Sequence, residues 1–225
     1  MRYGIKVAYN FMTDPYYASR YVPNPDRSVV WREIVRFLRS FLNGKHTVLD
    51  LGAGYCDFIN NVTAPERVAV DISPDFANFA DTSVRTVRSE VTHLSAVQAN
   101  TVDVVFASNL LEHLTDADLD TTMSEVKRIL KNGGLFISMQ PNYRYSYKTY
   151  YDDPTHKKVF SHTALEAFLL SQGFSIVKKM PKFLPFSLKS RPGIIPLHPL
   201  LVRAYIHSPW KPFAGQMLFV SKIQK

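Results

Sequence analysis

The residues able to do chemistry in this sequence are an acid beside paired glycines, two further acids at strand ends, and two histidines. Asp50 lies in the apolar run 48–51, which feeds straight into Gly52-Ala53-Gly54. A run this short that ends on closely spaced glycines and opens into Tyr55, Phe58 and Ile59 predicts a strand, a tight turn and a helix. With no Cβ at 52 and 54, the backbone can turn sharply and a ligand can lie against main-chain N–H groups, so the stretch is a nucleotide cradle. Asp71 ends a second apolar run, and a carboxylate there can accept hydrogen bonds from both hydroxyls of a ribose or simply cap the next turn. His113 and His156 are the acid–base candidates, because an unperturbed imidazole titrates near neutrality.

These residues need a frame. Val30, Ile34, Phe37, Leu38 and Phe41 fall at helical spacing, and Asn43-Gly44 ends that helix. Strands are predicted at residues 48–51, 67–71, 84–91, 102–107, 135–139, 174–178 and 216–223. Helices are expected to about residue 62, after the Ser73-Pro74-Asp75 cap, after Thr115 as N-cap, and over residues 161–172 with Gly173 as C-terminal cap. Alternation of strand and helix argues for a parallel sheet covered on its faces. A dinucleotide-binding turn wants glycine at its sixth position, and that position is Asp57, which argues against a hydride-transfer enzyme.

From Asp50 to Gly54 the order acid-x-Gly-x-Gly instead resembles the class I S-adenosylmethionine-dependent methyltransferases. The resemblance covers roughly residues 28–180. Asp71 follows Gly54 by 17 positions, Glu90-Val91 precede Leu94, and Leu111-Glu112-His113-Leu114 follows the fourth strand. Gly133-Gly134 and the His156 loop with Gly173-Phe174 complete it, and the nearest branch includes ubiquinone-pathway and glycan-modifying methyltransferases. It implies a Rossmann-like α/β fold: a mostly parallel seven-stranded sheet with an antiparallel last strand and helices on both faces. It also implies S-adenosylmethionine as cofactor, with Asp50, Gly52, Ala53 and Gly54 at the first turn and Asp71 and Ile72 on the ribose side. Glu90 and Val91 fall beside adenine, and Ser108 and Asn109 beside the methionine moiety. Cys56 departs from the pattern, since many relatives carry a third glycine there.

The acceptor is bounded by what is missing. Methylases of exocyclic base amines show Asp/Asn-Pro-Pro-aromatic after the fourth strand, where this chain has Ser108-Asn109-Leu110-Leu111. Ten of the 12 tyrosines fall before residue 22 or within 143–151, two segments expected to meet over the strand ends and suited to a sugar. The leading expectation is O-methylation of a small polyhydroxyl or glycan-type acceptor, with His156 preferred to His113 as general base because a loop can carry it in. An RNA or protein N-methyltransferase, or a non-catalytic cofactor-binding subunit, are the alternatives. Glu112, His113 and His156 resemble part of the Glu-x-x-Glu-His plus His set of some relatives, but the first glutamate is Asn109, so no metal is expected.

With 46% hydrophobic residues over 225 positions, one core and one domain are expected. Residues 1–44 would form an aromatic arm and helix acting as a lid, 45–180 the cofactor core, and 181–225 an irregular proline-rich cover with the closing strand. The net charge of +8 favours an anionic partner: a phosphorylated metabolite, a nucleic acid or an acidic lipid surface. No apolar run approaches 18 residues, no leader is evident at Met1, and the single cysteine suits a reducing compartment, which points to the cytoplasm. Apolar residues among Lys and Arg at 183–203 leave peripheral membrane contact open, without the helical period of an amphipathic anchor.

Overall fold

A computed structural model describes residues 25–185 and 198–225, so the aromatic arm and the middle of the proline-rich segment lie outside the described residues. Seven strands make one sheet: β1 (Thr47–Leu51), β2 (Glu66–Asp71), β3 (Arg85–Arg88), β4 (Val102–Ser108), β5 (Leu130–Pro141), β6 (Phe174–Met180) and β7 (Gln216–Ile223). Their order is β3-β2-β1-β4-β5-β7-β6, with β1 to β5 pairing in parallel and β7 antiparallel to both its neighbours. Chain direction across the sheet reverses its order between β1 and β4, so a crevice opens beyond their carboxyl ends. This is the Rossmann-like arrangement expected.

Two layers of helix cover the sheet because its central strands are apolar on both faces. Val48, Val104 and Ile137 pack with Val30 and Ile34 of α1 (Pro25–Phe37) and with Val202 and Ile206 of α4 (Pro199–His207). On the other face Leu49, Leu51 and Phe136 meet Met123 and Val126 of α2 (Asp116–Ile129) and Leu165 and Leu169 of α3 (His162–Ser171). Thr115 caps α2 in a reciprocal box with Asp118, and Ser161 caps α3 by accepting from the Ala164 amide.

Four local expectations differ from the structure. The helices expected after β1 and β2 are single 3-10 turns, Ile59–Asn61 and Phe76–Phe79, because each connection is short and carries a proline while anchoring one or two large apolar side chains. Strand β3 stops at Arg88, leaving Glu90 and Val91 in a loop. Strand β5 starts at Leu130, directly after α2, and takes Gly133 and Gly134 into itself where the register against β4 shifts; a Cβ on Gly134 would stand 2.9 Å from the Lys131 carbonyl oxygen. The cover is not wholly irregular, since α4 occupies residues 199–207 with His198 as N-cap and a proline in the first turn.

Candidate active site

The β1 turn is built from backbone that a side chain would obstruct. Gly52 has φ +72, and a Cβ there would lie 3.1 Å from Leu110 Cδ1. The amides of Gly52 and Ala53 donate to the Val70 carbonyl at 2.9 and 3.0 Å, which seats the turn on β2. Cys56 has φ +56, the left-handed region glycine favours, which gives a physical reason for a third glycine at this point in related chains. Its thiol is fully buried against the Phe76 carbonyl, and burial followed by the charge of Asp50 pushes its pKa up. Arg27 of α1 donates to Asp57 Oδ2 at 2.9 and 2.6 Å, tying the first helix to the turn.

Asp71 stands at the centre of the crevice. Its Oδ2 accepts from the Gly54 amide and its Oδ1 from the Ser73 amide, both at 2.8 Å. A carboxylate has about four lone-pair directions, so these amides, with that of Ile72, leave acceptor capacity over. Burial raises the Asp71 carboxyl above the usual range, opposed by the amides of Ser73 and Gly54. Asp50, 3% exposed, is raised further, first by burial and then by the charge of Asp71, while the Ile59 amide pulls the other way. At the end of β4, Ser108 Oγ is buried without a hydrogen-bond partner. Asn109 has φ +48 and is held by Gln216 of β7, whose Nε2 donates to Asn109 Oδ1 at 3.0 Å.

Further along lies a polar cluster on the 3-10 turn Leu111–His113 and the loop that holds His156. The two imidazole rings are 5.0 Å apart. His156 Nδ1 lies 2.6 Å from the Tyr150 carbonyl oxygen, so that nitrogen carries the proton and donates it. His113 Nδ1 lies 3.0 Å from Thr155 Oγ1, whose own proton goes to Asp153 Oδ1 at 2.6 Å. That assigns the His113 proton to Nδ1 as well and leaves a lone pair on Nε2 of both rings. Asp153 Oδ2 sits 3.8 Å from His156 Nε2. Glu112 is 1% exposed, neither of its carboxylate oxygens has a hydrogen-bond partner, and burial together with the Asp153 charge holds its carboxyl up at about 8. The amides of Lys157 and Lys158 donate to the Glu112 carbonyl at 2.8 and 3.0 Å. The His156 loop is therefore pinned beside His113, and mobility is not what distinguishes the two histidines.

All of the residues singled out from sequence line one cleft of about 740 Å³: Asp50, Gly52, Ala53, Gly54, Asp71, Ile72, Glu90, Val91, Ser108, Asn109, His113 and His156. Arg27, Trp31, Phe58, Phe106 and Asp153 also line it and were not legible in advance. Only the spacing Asp153-Pro154-Thr155-His156 hinted at an acid near the histidine. The cleft fits a nucleoside-bearing sulfonium. It has a carboxylate with spare acceptor capacity, a glycine turn, an unpartnered buried hydroxyl and an apolar wall of Trp31, Phe106 and the half-exposed Ile72. Seven carboxyl groups line it against two cationic side chains, Arg27 and Lys157, so the chain's positive charge is not here. One ligand atom each from Glu112, His113 and His156 lie within 4.8 Å of one another, a grouping that could take a divalent cation although none was expected from the sequence.

Comparison with known proteins agrees with this geometry. The family model described as a methyltransferase domain matches residues 49–138. The alpha N-terminal protein methyltransferase 1 of Drosophila melanogaster is 30% identical over 157 residues, 64% of this chain and 56% of that protein, so the chain spans little more than half of that relative's length. A S-adenosylmethionine-dependent methyltransferase from Archaeoglobus fulgidus superposes with TM-score 0.68 at 22% identity, covering 93% of this chain and all of that one. The N-methyltransferase NodS of Bradyrhizobium japonicum, in complex with S-adenosylhomocysteine, does so with TM-score 0.63 at 12% identity over 97% of both chains. The family model thus covers 90 of the 225 residues, and the solved structures share the fold, the Rossmann-like sheet of S-adenosylmethionine-dependent methyltransferases.

Proposed function

We propose that this protein methylates a hydroxyl of a small, polyhydroxylic or glycan-type acceptor, and that His156 receives the proton that hydroxyl sheds. The observation that carries this reading is the pair of imidazoles whose Nδ1 protons are both committed, to Tyr150 and to Thr155, so that both Nε2 atoms are bases at one end of the cleft. Bound S-adenosylmethionine supplies an electrophilic methyl group on a positively charged sulfur. Asp71 would accept from the ribose hydroxyls, the glycine turn would let the donor lie close to backbone, and Ser108 Oγ would find its partner at the methionine end. Methyl transfer is a displacement, so alignment supplies most of the rate and the base matters because a hydroxyl must lose its proton as the methyl arrives. Asp153, 3.8 Å from His156 Nε2, stabilises the imidazolium once it forms. His113 is the neighbouring group, oriented through Thr155, and Glu112 keeps its own proton near neutrality and can donate it to the acceptor in a hydrogen bond.

Incubation with methyl-labelled S-adenosylmethionine and a panel of glycosides, a peptide with a free α-amine and mixed-sequence RNA tests the proposal by intact product mass. Label on a glycoside hydroxyl is the expected result. Label confined to the peptide, as the name of the Drosophila relative would suggest, or to RNA would replace the hydroxyl reading.

A further inference from the structure

The chain's positive charge is concentrated in one segment. Residues 167–225 contain nine Lys and Arg and no Asp or Glu, which leaves residues 1–166 with a net charge of −1 out of the chain's +8. Of these nine, Lys178, Lys179, Lys182, Arg203 and Lys211 lie on β6, just after it, on α4 and on the loop into β7, Lys222 and Lys225 lie at the other end of β7, and Lys189 and Arg191 lie outside the described residues.

The connection from α4 to β7 holds two large apolar side chains out in solvent. Trp210 is 77% exposed and Phe213 is 92% exposed. Phe213 also has φ +60, a region that a bulky residue occupies only when its surroundings hold it there. The surroundings do so. Lys211 Nζ donates to the Tyr205 and Ile206 carbonyls at the end of α4, at 3.0 and 2.6 Å, and Tyr205 Oη donates to the Pro212 carbonyl at 2.8 Å. Ala214 then bridges to Pro185, and the Gly215 amide donates to the Leu184 carbonyl at 2.9 Å. The loop is braced from both ends, and its two aromatic side chains contribute nothing to the core.

Cationic groups lie against aromatic rings of the neighbouring elements. Lys211 lies 5.9 Å from the Phe183 ring, which meets Phe37, and Lys178 lies 5.1 Å from the Phe37 ring while His207 packs on its edge. Lys182 stands close by in sequence, over Tyr145. Aromatic side chains held out of a rigid loop, in a segment that carries lysines and no acid, have the chemistry of an interface between hydrocarbon and anionic headgroups. A nucleic acid would use the lysines but would not require a tryptophan and a phenylalanine both aimed outward from a braced turn.

We propose that this loop seats the protein on an anionic phospholipid surface, with Trp210 and Phe213 entering the headgroup layer and Lys178 and Lys182 of the same acid-free segment meeting the lipid charge. No helix among the described residues is long and apolar enough to cross a membrane, so the contact is peripheral.

Co-sedimentation of the full chain with vesicles tests this, using phosphatidylcholine alone and phosphatidylcholine with about 30% phosphatidylglycerol. The expected result is partition onto the anionic vesicles at least about tenfold stronger than onto the neutral ones, falling as salt rises. The double variant Trp210→Ala/Phe213→Ala should lose about tenfold or more of that partition. Because both side chains are exposed, its thermal unfolding should match the parent's. Tryptophan emission, which comes only from Trp31 and Trp210, should shift to the blue on adding anionic vesicles to the parent and stay unchanged in Trp210→Ala. Equal partition onto both vesicle types, no partition at all, or full partition by the double variant would overturn the proposal. Failure to bind vesicles combined with salt-steep binding to mixed RNA that the double variant retains would assign the basic segment to nucleic acid instead.

Discussion

Replacing Asp71 separates its two jobs, because its carboxylate accepts from backbone amides and also lines the cleft. In Asp71→Ala both amides, of Gly54 and Ser73, lose their acceptors, and at about 1–3 kcal/mol for each orphaned buried donor the fold should lose roughly 2–6 kcal/mol. Asp71→Asn keeps one acceptor oxygen and removes the charge, so its stability loss should be about half of that. Affinity should follow a different rule. Two hydroxyls donating to a carboxylate are together worth about 2–3 kcal/mol, which is roughly a 30- to 150-fold loss for S-adenosylmethionine in either variant. Calorimetric titration with S-adenosylmethionine and with a dideoxyribosyl analogue of S-adenosylhomocysteine checks the assignment. The parent should discriminate against the dideoxy analogue by about the same factor, and Asp71→Asn should discriminate against it hardly at all. An Asp71→Asn protein that binds S-adenosylmethionine within about twofold of the parent would refute the ribose role and leave Asp71 as a brace between the β1 and β2 turns.

Three other outcomes are expected. Glu112 holds its proton up to about 8 in the folded protein against a reference near 4.5, so the folded state binds the extra proton in that window and stability falls as pH rises through it; near pH 7 the loss is about 3 kcal/mol, and thermal melts of Glu112→Gln should show that slope removed. Cys56, buried and with its thiol pushed upward, should resist a thiol-reactive dye in the native protein and react at once in denaturant; fast native labelling would contradict the packed turn. His156→Ala should leave S-adenosylmethionine affinity within about twofold and lower turnover by about 10²-fold or more, with His113→Ala costing less, whereas loss of activity on chelation and its return with a divalent cation would show that Glu112, His113 and His156 serve a metal instead.

The parts of the fold that were legible are those whose signal is local. Apolar runs that end at Leu51, Asp71 and Ser108 mark the buried strands, and the glycines after Leu51 mark a sharp turn. The two missing helices show the limit of that signal: Phe58, Ile59 and Phe76 look like the start of a helical stripe, but their burial under the sheet is complete within a single turn and the chain moves directly to the next strand. α4 was hidden because Pro196, Pro199 and Pro209 read as interruptions, although Pro199 starts the helix. The histidines could be nominated from residue type, but their tautomers depend on Tyr150, Thr155 and Asp153, whose placement follows from the loop docking on the Glu112 carbonyl.

Net charge was the most misleading whole-chain quantity, and resolving it in space bears on the acceptor. A value of +8 suggests an anionic ligand, yet the cleft carries seven carboxyl groups against two cations, one of them already bonded to Asp57. Even with Asp50 and Glu112 counted as protonated, the remaining five acids outweigh Arg27 and Lys157. Such a cleft favours a sulfonium donor by long-range attraction and disfavours the approach of a phosphorylated metabolite or an RNA strand by the same field. A neutral, hydroxyl-rich acceptor avoids that penalty and can hydrogen-bond to the carboxylates. Turnover on a neutral glycoside should therefore exceed turnover on its phosphorylated counterpart, by a margin that narrows as added salt screens the cleft. A preference for the phosphorylated form at low salt would mean that the acceptor reaches the methyl group from the side of the lysine-rich segment, and the hydroxyl chemistry would have to be rebuilt around residues outside the described histidine cluster.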